Sequence, residues 1–347
     1  MPVTQQDIAE ELGISRVLVS YALNGNPRVS EETRKRVQET AERLGYRPNR
    51  AAQTLVTGRT GQIALCFSVY QPSFNSEISR RFQSPARSAS YALLVSSIEA
   101  LDNAATPLAV DGAICQGLVP AELLAQGFPT VSLEVDLRGV NAGYRGLYDV
   151  VQVSLEDAAR QATRHLIEEG CKRIAYVSVP GMMGQFEPRY RAYAAVMRDA
   201  GLACEDICVE LLDYLNVRDL TCKSLETYFT KHGFPDALFC SNDDIAVGAY
   251  RALRRMGRSI PHETAVIGCD DIEEAQDHAP ALSSIHWPFD AICQQAWQML
   301  MERIAQPTLP PRLEQIKTQF VPRASSQRRL SHTATPTIQQ GENYDSH

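Results

Sequence analysis

Apolar side chains recur every three to four residues in the first part of the chain, the spacing of helices that bury one face. Helix starts are indicated by hydroxyl side chains at Thr4, Ser15 and Ser30, and helix ends by Gly13 and Gly45. The pattern predicts three successive helices, with apolar faces at Ile8, Ala9 and Leu12, at Val19, Ala22 and Leu23, and at Val37, Ala41 and Leu44.

From residue 61 onward, short apolar runs typical of strands alternate with amphipathic helical segments. Strands are predicted at 63–69, 92–95, 112–114, 130–133, 174–179, 237–240 and 264–268, and helices at 155–169, 190–200, 244–256 and 291–304. Strand–helix alternation of this length favours two mostly parallel, doubly wound α/β sheets. The segment between the second and third strands looks short for a full helix.

Charge is distributed unevenly along a chain whose net charge is −7. Residues 1–60 hold 9 Lys and Arg against 7 Asp and Glu, so a mildly basic head precedes an acidic body. This distribution suits contact with nucleic acid at one end only.

The chain starts without the pattern of a signal peptide and contains no apolar run of membrane-spanning length, so a cytoplasmic location is expected. The nine cysteines are expected to be reduced and mostly buried, with no metal or cofactor.

The second predicted helix presents side chains that its apolar face does not use, namely Arg16, Val17, Ser20 and Tyr21. A helix, a tight turn and a second helix form the smallest unit that lodges a helix in the major groove. Arg16 suits the edge of a guanine and Val17 the methyl group of a thymine. The alternative is a plain three-helix unit without DNA-binding function, and the pattern alone leaves both open.

Polar side chains at helix ends and a short segment after the third helix extend this hypothesis. The small donors Thr4, Ser20, Asn24 and Ser30 suit phosphate contacts that fix the register on DNA. Residues 50–56 are too few for a helix that is stable alone, but two copies packed together would be. Leu55 would then wedge between base steps in the minor groove, and Ala52 would allow close approach. The alternative is an ordinary linker.

The head closely resembles that of the lactose/galactose repressor (LacI/GalR) family. The resemblance rests on V-T-x-x-D-I-A, G-I-S, V-S-x-x-L-N, V-S-x-x-T-R, L-G-Y-x-P-N and A-x-x-L-x-T-G, in this order within residues 3–58. It implies a homodimer on pseudo-palindromic operator DNA, base readout by Arg16, Val17 and Tyr21, and insertion of Leu55. The full set of expected DNA-binding residues is Thr4, Ser15, Arg16, Val17, Ser20, Tyr21, Asn24, Ser30, Asn49, Ala52 and Leu55.

The resemblance continues through F-C-S-N-D-D-I-A-V-G and G-C-D-D-I in the larger part of the chain. It implies the fold of periplasmic sugar-binding proteins, two α/β lobes around a cleft, with the chain crossing between them near 148–153, 283–288 and 316–320. The expected domains are a helix-turn-helix domain at 1–47, a hinge at 48–60, an effector-binding and dimerisation domain at 61–324, and a disordered, Ser/Thr/Gln/Pro-rich tail at 325–347.

Motif matches give three ligand-binding candidates, Arg189, Asn242 and Asp270. A guanidinium group can donate hydrogen bonds to hydroxyl groups or to a carboxylate. In open α/β sheets, ligands bind at the carboxyl ends of the strands. Each residue has a structural alternative: a salt bridge for Arg189, a helix cap for Asn242 and a turn for Asp270. Two further candidates are the acceptor Glu134 and the ring of Phe289, and Trp287 stands where the family often has glutamine.

The sequence therefore predicts a DNA-binding repressor controlled by a small molecule, in the cytoplasm and on the nucleoid when bound to its operator. A sugar or sugar acid is the expected effector, and a purine-type corepressor is the alternative. An α/β enzyme is the alternative of another class, but none of the common nucleotide-binding, hydrolase or metalloprotease motifs is present. A free-standing solute-binding protein would need a signal peptide and no DNA-binding head.

Overall fold

The computed structural model describes residues 3–23, 25–46, 58–68, 71–98, 109–117, 119–135, 146–180, 182–210 and 214–328. The chain divides into two compact units, 1–60 and 61–347. Four of the expected DNA-binding residues lie outside the described residues: Asn24, Asn49, Ala52 and Leu55. The predicted short helix at 50–56 lies outside them as well.

The first unit contains the three predicted helices, α1 (Gln5–Leu12), α2 (Arg16–Leu23) and α3 (Glu31–Leu44). Thr4 and Asp7 form a capping box at the start of α1. Gly13 and Gly45 end α1 and α3 with φ of 64° and 71°, a conformation that costs glycine least. The helices share one small core, formed by Ile8, Ala9, Val19, Ala22, Val29, Val37 and Ala41.

The second unit contains two sheets, each with six strands among the described residues. The first sheet is parallel throughout, in the order β11-β5-β4-β3-β1-β2, with β1 (Gln62–Phe67), β2 (Ala92–Ser97), β3 (Gly112–Gln116), β4 (Thr130–Val135), β5 (Asp149–Ser154) and β11 (Leu313–Lys317). The second sheet has the strand order β12-β10-β9-β8-β6-β7, and of these strands only β12 is antiparallel to its neighbour. Its strands are β6 (Ile174–Ser178), β7 (Glu205–Cys208), β8 (Ala237–Cys240), β9 (Ala265–Asp270), β10 (Ser283–His286) and β12 (Gln319–Val321).

Helices connect these parallel strands, as crossover connections require. They are α4 (Pro72–Ser88), α5 (Ala121–Ala125), α6 (Glu156–Glu168), α7 (Pro188–Asp199), α8 (Val217–His232), α9 (Asp243–Arg255) and α10 (Phe289–Ala305). We call the first sheet with α4, α5 and α10 the first lobe, and the second sheet with α6 to α9 the second lobe. None of the helices in the described ranges combines the length and apolar character needed to cross a membrane.

The chain passes between the lobes three times, as predicted. It does so after β10 and between β11 and β12, at the expected places. The first crossing is corrected: residues 149–154 form β5 of the first sheet, so the passage follows at 154–156. A strand buried on both faces has no alternating pattern, which is why the sequence predicts a connection there instead of a strand.

The first lobe contains a long helix that the sequence pattern did not predict. After β1, α4 buries Phe74, Ile78 and Phe82 against the core of this lobe. Most of the segment between β2 and β3 that looks short, residues 99–108, lies outside the described residues.

The expected start of the tail at residue 325 is corrected by the structure. Ser325 and Ser326 are fully buried, and the backbone N–H of Val266 donates to the carbonyl of Ser325 at 2.9 Å. The hydroxyl of Ser325 in turn donates to the carbonyl of Val266 at 2.6 Å. These two residues are therefore part of the second lobe, because they satisfy backbone groups at its core.

A buried ion pair joins α10 to β5, the strand next to the edge strand β11 of the first sheet. Asp149 at the start of β5 is fully buried and accepts from the Nε of Arg303 at 2.7 Å and from its Nη2 at 2.8 Å. The backbone N–H of Arg312, just before β11, donates to the same carboxylate at 2.8 Å. Burial by itself raises the pKa of Asp149, but the hydrogen bonds from Arg303 and Arg312 outweigh burial and lower it.

We predict that Asp149→Asn lowers the free energy of unfolding by about 3–5 kcal/mol, because it leaves the Arg303 guanidinium buried without a counter-charge. Urea unfolding followed by circular dichroism measures this. The wild-type contribution should be complete above about pH 4 and decrease as the pH falls through the lowered pKa, since protonation removes the charge. Arg255→Met, which breaks an exposed ion pair with Glu226, is the control and should cost less than about 1 kcal/mol. Equal losses in both variants would contradict this role of the pair.

Candidate functional site

The exposed face of α2 carries the side chains expected to read bases. Val17 is 59% exposed and Tyr21 45%, although large apolar side chains usually lose most of their exposure on folding. Arg16 is exposed beside them, whereas Val19 and Ala22 on the opposite face are buried. The helix thus keeps one apolar face for the core and offers a mixed apolar and basic face to a partner.

Three hydroxyl residues of the expected DNA-binding set, Thr4, Ser15 and Ser30, directly precede helices, whereas Ser20, expected at a helix end, lies within α2. Ser15 accepts from the backbone N–H of Leu18 at 3.2 Å, and Ser30 accepts from that of Thr33 at 3.3 Å. Both side chains are exposed, as is Thr4, and Ser20 is half-buried. A role in capping therefore does not remove them from the surface.

The second candidate site lies at the carboxyl edge of the second sheet, where Arg189 belongs to the first turn of α7. Glu187 caps this helix, and Pro188 occupies its first position, which needs no N–H donor. The Arg189 side chain is buried; its Nε donates to Glu187 at 2.7 Å, and its Nη1 donates to the carbonyl of Ser241 at 2.5 Å. The salt-bridge alternative for Arg189 is thus present in the structure.

Buried charges shift the acid–base properties of this edge. Burial by itself lowers the pKa of Arg189, but the negative charges of Glu187, Asp270 and other neighbouring groups together outweigh burial and raise it, so the guanidinium stays charged. Burial raises the pKa of Asp270, and the nearby Asp243 raises it further while Arg189 opposes the shift. Clusters of shifted groups are typical of functional sites, although structural ion pairs produce them too.

The backbone at the end of β9 has an unusual conformation. Asp270 and Asp271 have φ of 119° and 55°, a region that side chains other than glycine seldom adopt. Strain of this kind costs about 1–3 kcal/mol per residue and persists only where neighbours enforce it. Here Asp243 accepts from the backbone N–H of Ile272 at 3.0 Å and from the hydroxyl of Ser284 at 2.7 Å. These contacts hold the turn that follows β9 in place.

Asn242 follows β8 and caps α9, where its side chain accepts from the backbone N–H of Ile245 at 2.9 Å. The capping alternative is therefore also present in the structure. The cap uses the side-chain carbonyl oxygen and leaves the amide N–H groups of this buried residue for other partners.

Phe289, where the chain crosses from the second lobe to the first, belongs to a cluster of three rings, one of which comes from α4. Its ring centroid is 5.3 Å from that of Phe74 and 6.3 Å from that of Trp287. Trp287 and Phe74 lie 4.8 Å apart, edge to face. Trp287 is only 4% exposed, so it lies inside this cluster rather than at an open pocket mouth.

Glu134 lies apart from these residues in the contacts that the structure describes. It occupies the carboxyl end of β4 in the first lobe, is buried, and accepts from the hydroxyl of Tyr148 at 3.2 Å. The structure therefore brings Arg189, Asn242 and Asp270 to one edge and Phe289 to the ring cluster. It does not join Glu134 to either group.

A polar contact between the lobes was not expected from the sequence. Ser73 of α4 donates to Asp244 of α9 at 2.8 Å, and Arg218 of α8 donates to both of them, at 2.9 Å to Ser73 and 2.7 Å to Asp244. A cavity of about 400 Å³ adjoins this contact and is lined by Pro72, Ser73, Leu215, Asn216, Val217, Arg218, Asp219, Asp244 and Arg251. Pro72 at the first helical position signals where α4 begins, but no local pattern indicates the contact with the second lobe.

Comparison with known proteins gives the same two-part organisation. The family model for bacterial regulatory proteins of the lacI family matches residues 4–49, and the model for a periplasmic binding protein-like domain matches residues 163–326. The chain is 30% identical over 335 residues to the ribose operon repressor of Escherichia coli (strain K12), covering 93% of this chain and 99% of that protein. It is 28% identical over 311 residues to the HTH-type transcriptional repressor PurR of Haemophilus influenzae (strain PittEE), covering 87% and 91%.

Among solved structures, the Lac repressor dimer bound to operator and the anti-inducer ONPF is similar in fold. The two chains share 22% sequence identity, with a TM-score of 0.73 over 94% of this chain and 99% of the other. The predicted fold class, a helix-turn-helix head followed by a two-lobed α/β domain, is confirmed.

We predict that Asn242→Ala lowers the free energy of unfolding by about 1 kcal/mol, whereas Asn242→Ser, which keeps a capping oxygen, changes it by much less. Urea denaturation of both variants measures the difference. If the alanine and serine variants were equally stable, the cap would contribute nothing, and the burial of Asn242 would need another explanation.

Proposed function

Because the chain belongs to the lacI family of bacterial regulatory proteins, we propose that α2 reads operator DNA and that a small molecule held at the second sheet's carboxyl edge controls this binding. The chain is a DNA-binding transcriptional regulator of the repressor type. The proposal assigns particular residues to each task and a chemical class to the effector.

The exposed apolar and basic face of α2 supports the DNA-reading part of the proposal most strongly. Val17 and Tyr21 are of the types that pack on thymine methyl groups and sugars, and Arg16 is of the type that pairs with guanine. Two such helices on a homodimer would match a pseudo-palindromic operator. The Lac repressor in the similar solved structure is a dimer bound to operator. Asn49, Ala52 and Leu55 remain predictions for the minor groove.

The buried polar groups around Arg189 support the effector site. Arg189 and Asp270 place one cationic donor and one carboxyl group at adjoining positions, a pairing suited to a ligand with several hydroxyl groups. The relative named ribose operon repressor favours a sugar, and the one named PurR keeps a purine as the second candidate. Glu134 would complete the site only if the first lobe brought it close.

Control of DNA binding is proposed to act through the angle between the lobes. A ligand shifts this angle only by binding one arrangement more tightly than the other. In a dimer, the change would move the two hinge segments, residues 48–60, together or apart and so stabilise or weaken their packing on DNA.

We predict that Tyr21→Ala and Val17→Ala each weaken binding to a selected operator by about 5- to 100-fold, because each removes a contact with a base edge. The operator is first selected from a random duplex library, and affinity is then measured by fluorescence anisotropy at fixed salt. Binding to a random duplex should change little. Glu42→Ala, an exposed position on α3, is the control. If the losses on operator and random DNA were equal, α2 would not read sequence.

We predict that a bound effector at a hundredfold excess over its Kd stabilises the protein by about 2.7 kcal/mol and that Asp270→Asn removes most of this gain. A thermal-shift screen of sugars, sugar acids and purines identifies the effector. Operator affinity is then measured with and without the effector, which shows whether the effector weakens or strengthens DNA binding. Asp277→Asn, at an exposed position nearby, should respond like the wild type. A hit that stabilises the Asp270→Asn variant fully would place the site elsewhere.

A further inference from the structure

The loop between α2 and α3 begins with a turn that ends α2. The backbone N–H of Asn26 donates to the carbonyl of Tyr21 at 3.0 Å, and that of Gly25 donates to the carbonyl of Ala22 at 3.3 Å. Gly25 has a φ of 71°, so these two bonds form the Schellman motif that commonly ends a helix. Asn26 is therefore attached to Tyr21, a residue of the proposed DNA-reading face.

Asn26 also organises the rest of this loop. Its side-chain oxygen accepts from the backbone N–H of Arg28 at 3.0 Å, and its carbonyl accepts from the backbone N–H of Val29 at 3.1 Å. An asparagine that bonds to the backbone two residues later forms a turn of its own. Val29 is buried in the core of the three helices, and Ser30 after it caps α3. The distance from the end of α2 to Ser30 thus depends on the shape of the loop.

Arg34 of α3 reaches back to this loop and bonds to two of its carbonyl groups. Its Nη2 donates to the carbonyl of Asn26 at 3.1 Å and to that of Val29 at 3.4 Å, while its Nη1 donates to Glu31 at 2.9 Å. The planar guanidinium group holds its donors in a fixed fork. It therefore ties the loop to the first turn of α3 in one geometry.

The surroundings of Arg34 differ from those of arginines that can contact DNA directly. Its side chain is only 23% exposed, and its Nε is buried with no hydrogen-bond partner among the described residues. Arg16 and Arg36, by contrast, are exposed. Because both terminal nitrogens of Arg34 are bonded inside the first unit, we expect this residue to act on DNA binding through the loop and not by touching a phosphate.

Resting on the proposed reading of operator DNA by α2, we propose that Arg34 is a positioning residue for sequence-specific recognition. By holding the loop against α3, it fixes the distance between Tyr21, which contacts a base edge, and Ser30, which contacts a phosphate. Phosphate contacts set the register of a protein on DNA, and base contacts read the sequence. A loop that moved freely would uncouple the two. Sequence-specific binding would then weaken, while non-specific binding, which depends mainly on charge, would remain.

Charge is the competing explanation for any effect of Arg34. Glu31 is 85% exposed next to Ser30, where a carboxylate without a partner would repel a DNA phosphate, and Arg34 neutralises it. A lysine at position 34 keeps a positive charge beside Glu31 but replaces the planar fork with a single ammonium group. The substitution Arg34→Lys therefore separates positioning from charge.

The experiment compares the full-length wild type with Arg34→Lys, Arg34→Met and Arg43→Lys. Arg43 is the matched control, because it lies on the same helix but forms an exposed ion pair, with Glu11 at 2.6 Å. An operator is selected from a random duplex library with the wild type. Affinity for this operator and for a random duplex of equal length is then measured by fluorescence anisotropy at fixed salt. Hydrogen exchange of the same proteins, followed by mass spectrometry, reports on the order of the loop.

We expect Arg34→Lys and Arg34→Met to bind the operator at least about tenfold more weakly than the wild type, the scale of one lost base contact. Binding of Arg34→Lys to the random duplex should stay within about threefold of the wild type, because the charge is kept. The amides of residues 25–30 should exchange faster in both variants, while those of α1 keep their protection. Arg43→Lys should match the wild type in every measurement.

Three results would overturn the inference. If Arg34→Lys bound the operator as tightly as the wild type, charge alone would explain the role of Arg34. If its affinities for operator and random duplex fell by the same factor, Arg34 would not act on sequence reading. If α1 also lost its protection in Arg34→Lys, Arg34 would stabilise the whole three-helix unit instead of positioning one loop. A wild type that preferred no selected operator would contradict the proposed function itself, which is a distinct outcome.

Discussion

A guanidinium group that is buried away from water needs a negatively charged partner close by. This constraint determines how the residues at the carboxyl edge of the second sheet are arranged. Arg189 meets it with Glu187, two residues earlier in the chain, so the ion pair is local and forms with the first turn of α7. The same guanidinium reaches the carbonyl of Ser241 after β8. One side chain thus ties a helix start to a neighbouring strand end and carries positive charge to the edge that Asp270 occupies.

The two lobes meet at a seam where each supplies part of a polar network. Ser73 of the first lobe lies between Asp244 and Arg218 of the second, and it both donates and accepts there. Each hydrogen bond to a charged group contributes about 1.5–3 kcal/mol to stability. Separating the lobes at this contact would therefore cost a comparable free energy. Any ligand that changes the lobe angle must therefore favour one arrangement by at least as much.

The sequence predicted those features whose causes are local, and it missed those that depend on tertiary contact. The caps of α1 and α3 are determined by Thr4 with Asp7 and by Ser30, residues whose side chains bond to their own first turn. The contact of Ser73 with Asp244 joins residues 171 positions apart, and no local pattern indicates it. Motif matches did find Arg189 and Asp270. The partner of Arg189 was missed, although a glutamate followed by proline at 187–188 is a signal for a capped helix start.

Several destabilising features meet at one sheet edge, and their coincidence calls for a common cause. Positive φ at Asp270 and Asp271 and the buried Asp270 carboxyl group with its raised pKa each cost free energy. So do the buried hydroxyl of Ser241 and indole N–H of Trp287, which have no hydrogen-bond partner among the residues that the structure describes. The network of Asp243 with Ile272 and Ser284 offsets part of this cost by holding the turn. Stability alone would favour glycine, alanine and phenylalanine at these positions. The proposed effector site accounts for this coincidence, because a site that must leave hydrogen-bonding capacity for a ligand requires residues that are unfavourable without one.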